Sequence, residues 1–191
     1  MANYPIQTMA SAPEQSKPAL EQLQKAFGVL PNIAAAIANS PKLINSLVGV
    51  FQQVHSSSLT EQEIQIVLLS DAVANSSTYA VAFHTALAIA AGVSSAETDA
   101  VRDGQAPRDP RFAALSTLAK TLIEKRGHLN DSDLHSFLAA GFTKEQVLEV
   151  IAVVAASTIT NYTGSIADPP LEDQFQRYAW RGKKQTMTSS S

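Results

Sequence analysis

Residues 74–92, ANSSTYAVAFHTALAIAAG, hold one histidine, His84, in a run without a charged residue. An imidazole titrates near neutrality, so in such a setting it can serve as a base, contact a ligand, or sit in a core or interface bonded to Gln65, a hydroxyl or water. Ser77 offers a hydroxyl that a histidine base could activate. Seven residues of continuous helix, however, separate the two by about 10.5 Å along the axis, and a direct hydrogen bond needs about 3 Å. Unless the helix begins after Ser77 and the chain curls back, the dyad fails on geometry, and Ser76, Ser77 or Thr78 is better employed capping the next helix. The other histidines offer less. His128 and His135 stand near Asp131 and Asp133, but without a tight i, i+4 histidine pair they read as solvated residues around a helix start, and no metal is expected. His55 ends a helix, where a cation favours the dipole. Tyr79, Phe83, Tyr162 and Trp180 read as packing, and no phosphate loop or dinucleotide fingerprint implies a cofactor. The chain has no cysteine, which removes disulfides, thiolate metal sites and thiol nucleophiles together.

The elements that must position His84 are helices. Capping signatures recur at LTEQEI (Thr60, Glu63), SSAE (Ser94, Glu97), LNDSDL (Asn130, Asp133) and FTKEQV (Thr143, Gln146), each a polar cap followed by an acid or amide three residues on. Pro41 and Pro110 add two starts by standing in the first helical position. The map is helices near 17–27, 32–38, 41–55, 60–75, 77–91, 94–103, 109–126, 131–140 and 143–166, with no hairpin signal. It reads as an all-α bundle of about nine helices: one domain over 1–184 and a polar tail, QTMTSSS, over 185–191 that is expected to be mobile. A faint internal repeat aligns Thr60 with Thr143, Ile64 with Val147, Val67 with Val150, Leu68 with Ile151 and Tyr79 with Tyr162, which fits two related helical hairpins.

Composition excludes several classes of function. The apolar share of 45% against a charged share of 16% indicates a globular chain that hides much of its surface, in part against copies of itself. A homo-oligomer is expected. Net charge is -3, with basic residues scattered rather than clustered, so nothing neutralises a phosphate backbone and nucleic acid is not expected as a partner. No secretory signal is visible, and a cytoplasmic location is expected. The most apolar segment, VLEVIAVVAASTI, is interrupted by Glu149 and falls short of the roughly 20 residues that cross a bilayer, so no membrane association is expected.

The order of the pieces FGVLPNIAAAIANSP, LTEQEIQIVLLSDAVANSSTYAVAFHTALAIAAGVS, DPRFAALSTLAKTLIEKRGHLNDSDLHSFLAAGFTKEQVLEVIAVVAASTITNY and PLEDQF resembles the alkylhydroperoxidase-D-like branch of the carboxymuconolactone decarboxylase family. The resemblance runs from about Ala19 to Trp180 and implies an all-α fold assembled into rings. In redox-active members it implies a Cys-x-x-Cys pair, a histidine four residues beyond the second cysteine and a glutamate twelve before the first. Here those places hold Ser77, Ala80, His84 and Gln65. A serine hydroxyl does not ionise near neutrality, alanine has no functional group, and a glutamine amide cannot take up and release a proton as a general base must. The thiol relay is disconnected at each exchange point.

Three functions remain open: a redox-incompetent member with a residual pocket around Gln65, Ser77 and His84 that binds a small molecule or serves a structural role; a cofactor-free enzyme of the decarboxylase or lactone type using His84; and a peroxidase silenced by deliberate replacement of its cysteines and glutamate.

Overall fold

Six helices start on a side chain that accepts from their own first turn: Ser40, Thr60, Ser94, Asp109, Asn130 and Thr143. At Thr60, Asn130 and Thr143 the reciprocal bond is also made, giving complete capping boxes. At Ser94 it is not. The Glu97 carboxylate accepts instead from the backbone N–H groups of Arg108 and Asp109, at 2.7 and 3.1 Å, and ties down the next loop.

These starts organise the computed structural model, which describes residues 4–182. Among them are α1 (Lys17–Phe27), α2 (Asn32–Ile37), α3 (Pro41–His55), α4 (Glu61–Ala74), α5 (Thr78–Ala90), α6 (Ser95–Arg102), α7 (Pro110–Glu124), α8 (Asp131–Ala139) and α9 (Lys144–Ala167). Two 3-10 turns, Glu14–Ser16 and Asp173–Tyr178, complete the described secondary structure, which contains no strand. The polar tail expected over 185–191 lies outside the described residues.

Helix α4 is the axle. Residues 63–73 are buried on every side, as expected of a helix whose apolar residues run all round instead of along one stripe. It packs against α5, α6, α7 and α9. Its few polar side chains must therefore find partners inside. Glu63 takes Arg111 (Nη2 at 2.8 Å and Nε at 3.0 Å), Ser70 donates to Ser116 at 2.8 Å, Asp71 takes Asn161, and Gln65 takes His84. The Arg111 guanidinium also lies over the Phe142 ring at 3.9 Å, which fastens α4 to α7 and the turn before α9.

Helix α9 falls where the sequence map places its last helix, over 143–166. Its 24 residues include an 18-residue stretch with a mean hydropathy of 1.4, long and apolar enough to cross a bilayer by those measures. One face of it is core: Val150, Val153, Ala156, Ser157 and Asn161 are enclosed, and the helix packs on α2, α3, α4 and α7. The opposite face leaves Leu148, Ile151, Tyr162 and Ile166 exposed. Tyr162, read from the sequence as packing, is 60% exposed, because its place on α9 turns it away from the seam that holds Asn161.

Candidate functional site

Two apolar clusters meet beside α5. One is built on α4, α7 and α9; the other gathers α1, α2 and α3 around Tyr79, Phe83 and Phe175. Between them lies a hollow of about 690 Å³, walled mainly by apolar side chains such as Leu23, Phe27, Phe51, Leu68, Phe83 and Leu87. A volume of this size accepts a small organic molecule. Phe27 and Phe175 meet Phe83 edge to face, at centroid distances of 5.3 and 5.0 Å, so the aromatic wall is itself braced.

The wall is also pinned from the C-terminal side. Glu172 accepts from the Asn32 backbone N–H at 2.6 Å and from the Tyr79 hydroxyl at 2.8 Å. Burial first, then the charge and hydrogen bond of Glu172, push the Tyr79 phenol far above its ordinary range. It therefore stays protonated and keeps donating. Tyr79 does pack, stacking on Phe83, but its hydroxyl joins α5 to a carboxylate 93 residues away.

Four polar residues of the hollow form one line. His84 Nδ1 meets Gln65 Oε1 at 3.1 Å, Gln65 Nε2 donates to Glu61 Oε1 at 2.7 Å, and Glu61 Oε2 meets His55 Nδ1 at 2.9 Å. His84 and Gln65 are buried, whereas His55 and Glu61 have half-exposed side chains. All four line the hollow. Burial drives the His84 pKa down to about 4, against a smaller opposing pull from Glu61, so at neutral pH the ring is uncharged. At the other end, the hydrogen bond to Glu61 holds the His55 pKa above its usual value. Partial burial works against the Glu61 charge, but the bonds from His55 and Gln65 outweigh it and hold that carboxyl below its usual range. The Glu61 carboxylate and the His55 ring bonded to it thus sit at the exposed end, and the neutral ring at the buried end.

The four positions singled out from the sequence divide between two hollows. Gln65, Ala80 and His84 line the apolar one. Ser77 lines a second, more polar hollow of about 630 Å³, together with Ser76, Asp168 and Trp180. Ser77 is the N-cap residue of α5, but its side chain makes no capping bond, and no hydrogen bond joins it to His84. The preceding Ser76 has φ +55°, a left-handed conformation that turns the chain sharply between α4 and α5. His128 and His135 are exposed, and the Asp133 carboxylate is engaged by Lys125 and by its own capping box. Among the described residues no group of three or more histidine, aspartate or glutamate side chains could hold a metal.

Sequence reasoning missed Glu61 and His55. The Glu61–Gln65 contact carries a signal, since residues four apart share a helix face. The His55–Glu61 contact spans the turn between α3 and α4 and has no periodic signature. Reading His55 as a dipole partner of α3 was incomplete, because its ring is bonded to a carboxylate at the start of the next helix.

No protein-family profile matches the sequence, and no curated protein matches it significantly. Solved structures do match. The alkylhydroperoxidase AhpD core of an uncharacterized peroxidase-related protein from Ralstonia eutropha JMP134 superposes with a TM-score of 0.80 at 21% identity, covering 91% of this chain and 93% of that one. A cysteine-to-alanine variant of the debrominase Bmp8, in complex with 2,3,4-tribromopyrrole, gives 0.78 at 16% identity over 93% of this chain and 95% of that one. An uncharacterized peroxidase-related protein from Silicibacter sp. TM1040 gives 0.75 at 17% identity, covering 91% and 93%. Near-complete coverage in both directions, at TM-scores of 0.75 to 0.80, shows that this cysteine-free chain has the alkylhydroperoxidase-D-like fold.

Proposed function

We propose that the chain binds a small, largely apolar molecule in the hollow beside His84 and performs no thiol chemistry there. The observation that carries this reading is the 690 Å³ apolar hollow, with the neutral His84–Gln65 pair as its buried polar point. Apolar walls supply the driving force for binding, and a few fixed polar groups orient the guest. A likeness in fold supports the same reading, since the debrominase structure holds a halogenated pyrrole. Calorimetry against a panel of neutral aromatic and alicyclic compounds tests it. Compounds that fit the hollow should bind wild-type protein and lose affinity in Leu68→Trp, which fills the space; no binding by any of them ends the reading.

A second reading, a cofactor-free enzyme of the decarboxylase or lactone type, is favoured by one feature. A neutral imidazole with one nitrogen unengaged is a base already in its reactive form at neutral pH. Turnover of a bound lactone that disappears in His84→Asn, while binding persists, would select it.

The homo-oligomer belongs to this proposal as well. The exposed row Leu148, Ile151, Tyr162 and Ile166 on α9 is the face on which copies would associate.

A further inference from the structure

The line of hydrogen bonds from His55 to His84 has a direction, and the direction sets what His84 can offer a guest. An ionised carboxylate has acceptors only. Glu61, held in that form by its two partners, therefore requires the Gln65 amide nitrogen to face it, as the 2.7 Å contact has it. The Gln65 carbonyl oxygen is then turned towards His84 Nδ1 at 3.1 Å. An acceptor facing that nitrogen places the ring proton on Nδ1. A neutral imidazole carries one proton, so Nε2 is left with a bare lone pair.

That lone pair is unengaged. His84 has no second hydrogen-bond partner among the described residues, and Nε2 is not sealed away either. The enclosed, partnerless side-chain atoms are Ser57 Oγ, Asp71 Oδ1 and Asn161 Oδ1. His84 lines the hollow, so the open nitrogen is the acceptor it presents there. Around it stand Phe83, edge on at 5.5 Å, and the other aromatic walls. No lysine or arginine lines the space, and its lining charges are the mutually paired Glu61 and His55.

We propose that the His84 site selects a neutral aromatic ring bearing an O–H or N–H group, of the phenol or pyrrole kind, and discriminates against the same ring with that hydrogen replaced by methyl. Glu61 is the positioning residue, acting through Gln65. A carboxylate guest is disfavoured, because a lone pair meets its negative charge and no cation offsets it. The proposal rests on the reading of the hollow as a ligand site.

The test uses the full chain with 2-naphthol and its methyl ether, measured by calorimetry, together with the protonation of His84 read by 15N-edited NMR on the ligand-free protein. Expected are a proton on Nδ1, binding of both compounds, and an advantage of about tenfold for the naphthol from the one added hydrogen bond. In Glu61→Gln the fixed acceptor is gone and that advantage shrinks. Equal binding of the two compounds to wild-type protein overturns the selection while leaving the hollow a ligand site. An unchanged advantage in Glu61→Gln overturns the role of Glu61. A proton on Nε2 overturns the direction whatever binds, and failure of both compounds to bind removes the ligand-site reading and this proposal with it.

Discussion

Two of the polar stations on helix α4, Gln65 and Asp71, have been treated by burial in opposite ways. At Gln65 the polar groups continue outwards through Glu61 to His55, so the charge resides near water and the buried ring is neutral because it has lost a proton. At Asp71 the groups end inside: Asn161 Nδ2 donates to Asp71 Oδ2 at 2.5 Å and to Ser157 Oγ at 3.1 Å. Asp71 Oδ1 and Asn161 Oδ1 have no partner. Burial, opposed by hydrogen bonds from Ser157, Asn161 and Asn75, raises the Asp71 pKa to about 6. Below about pH 6 a proton on the acid adds a donor to a cluster that holds two unpartnered acceptor oxygens. The two stations teach that burial shifts each group towards its neutral form, by shedding a proton from the His84 ring and by holding one on Asp71 up to about pH 6.

The contrast has opposite consequences for stability. His84 titrates at about 4 in the folded chain against an ordinary 6.5, so the unfolded chain takes up the proton first as pH falls. Stability drains away between about pH 6.5 and pH 4, by about 3 kcal/mol. Asp71 titrates at about 6 against an ordinary 3.8. Here the folded chain holds the proton more firmly, so its contribution is complete below pH 3.8 and is lost as pH rises through 6, by between about 2 and 3 kcal/mol.

The sharpest way to break the comparison is to remove the acid-side titration. In His84→Asn the new amide can still donate to Gln65 from near the Nδ1 position and has nothing to protonate. Urea unfolding between pH 4 and 7 should lose most of its acid limb in this variant. A limb of wild-type steepness would show that His84 is not the group responsible. The next effect belongs to Asp71→Asn, which is neutral at every pH. It should be more stable than wild type at pH 8, by between about 2 and 3 kcal/mol, and no better at pH 4.

Glu61→Gln has a smaller effect on the fold. His55 loses its charged partner, and its pKa, raised in wild type, should fall towards the ordinary value when followed by NMR. The part of stability that is present below pH 6.5 and lost as pH rises through the raised pKa disappears with it, amounting to less than about 1 kcal/mol for so exposed a pair. Smallest for the single chain is Leu148→Ser combined with Ile166→Ser on α9. It should shift unfolding by no more than about 0.5 kcal/mol, yet reduce the particle size seen by light scattering.

Much of this was legible in the chain. Thr60, Asn130 and Thr143 announce their helices because capping is local chemistry, settled within four residues. Ser94 shows the limit: the same pattern is present, but Glu97 finds better use in a loop over ten residues away. Gln65 and His84 were singled out together and do meet. Glu61, His55 and Glu172 were not, because their contacts depend on how helices cross, which no spacing within one helix records. Ser77 and Ala80 lie one helical turn apart yet line different hollows, which their spacing alone does not record.

The all-round burial of α4 has one more consequence, for the order in which the molecule opens. A helix with a solvent face can fray one hydrogen bond at a time. Residues 63–73 have no such face, so their amides can reach water only when α5, α7 and α9 have parted from them. The backbone N–H groups of Ile66 to Leu69 should therefore exchange with deuterium only through global unfolding, whereas those of the exposed α8 exchange by local opening. The slowest clock in the molecule is the helix that carries Gln65.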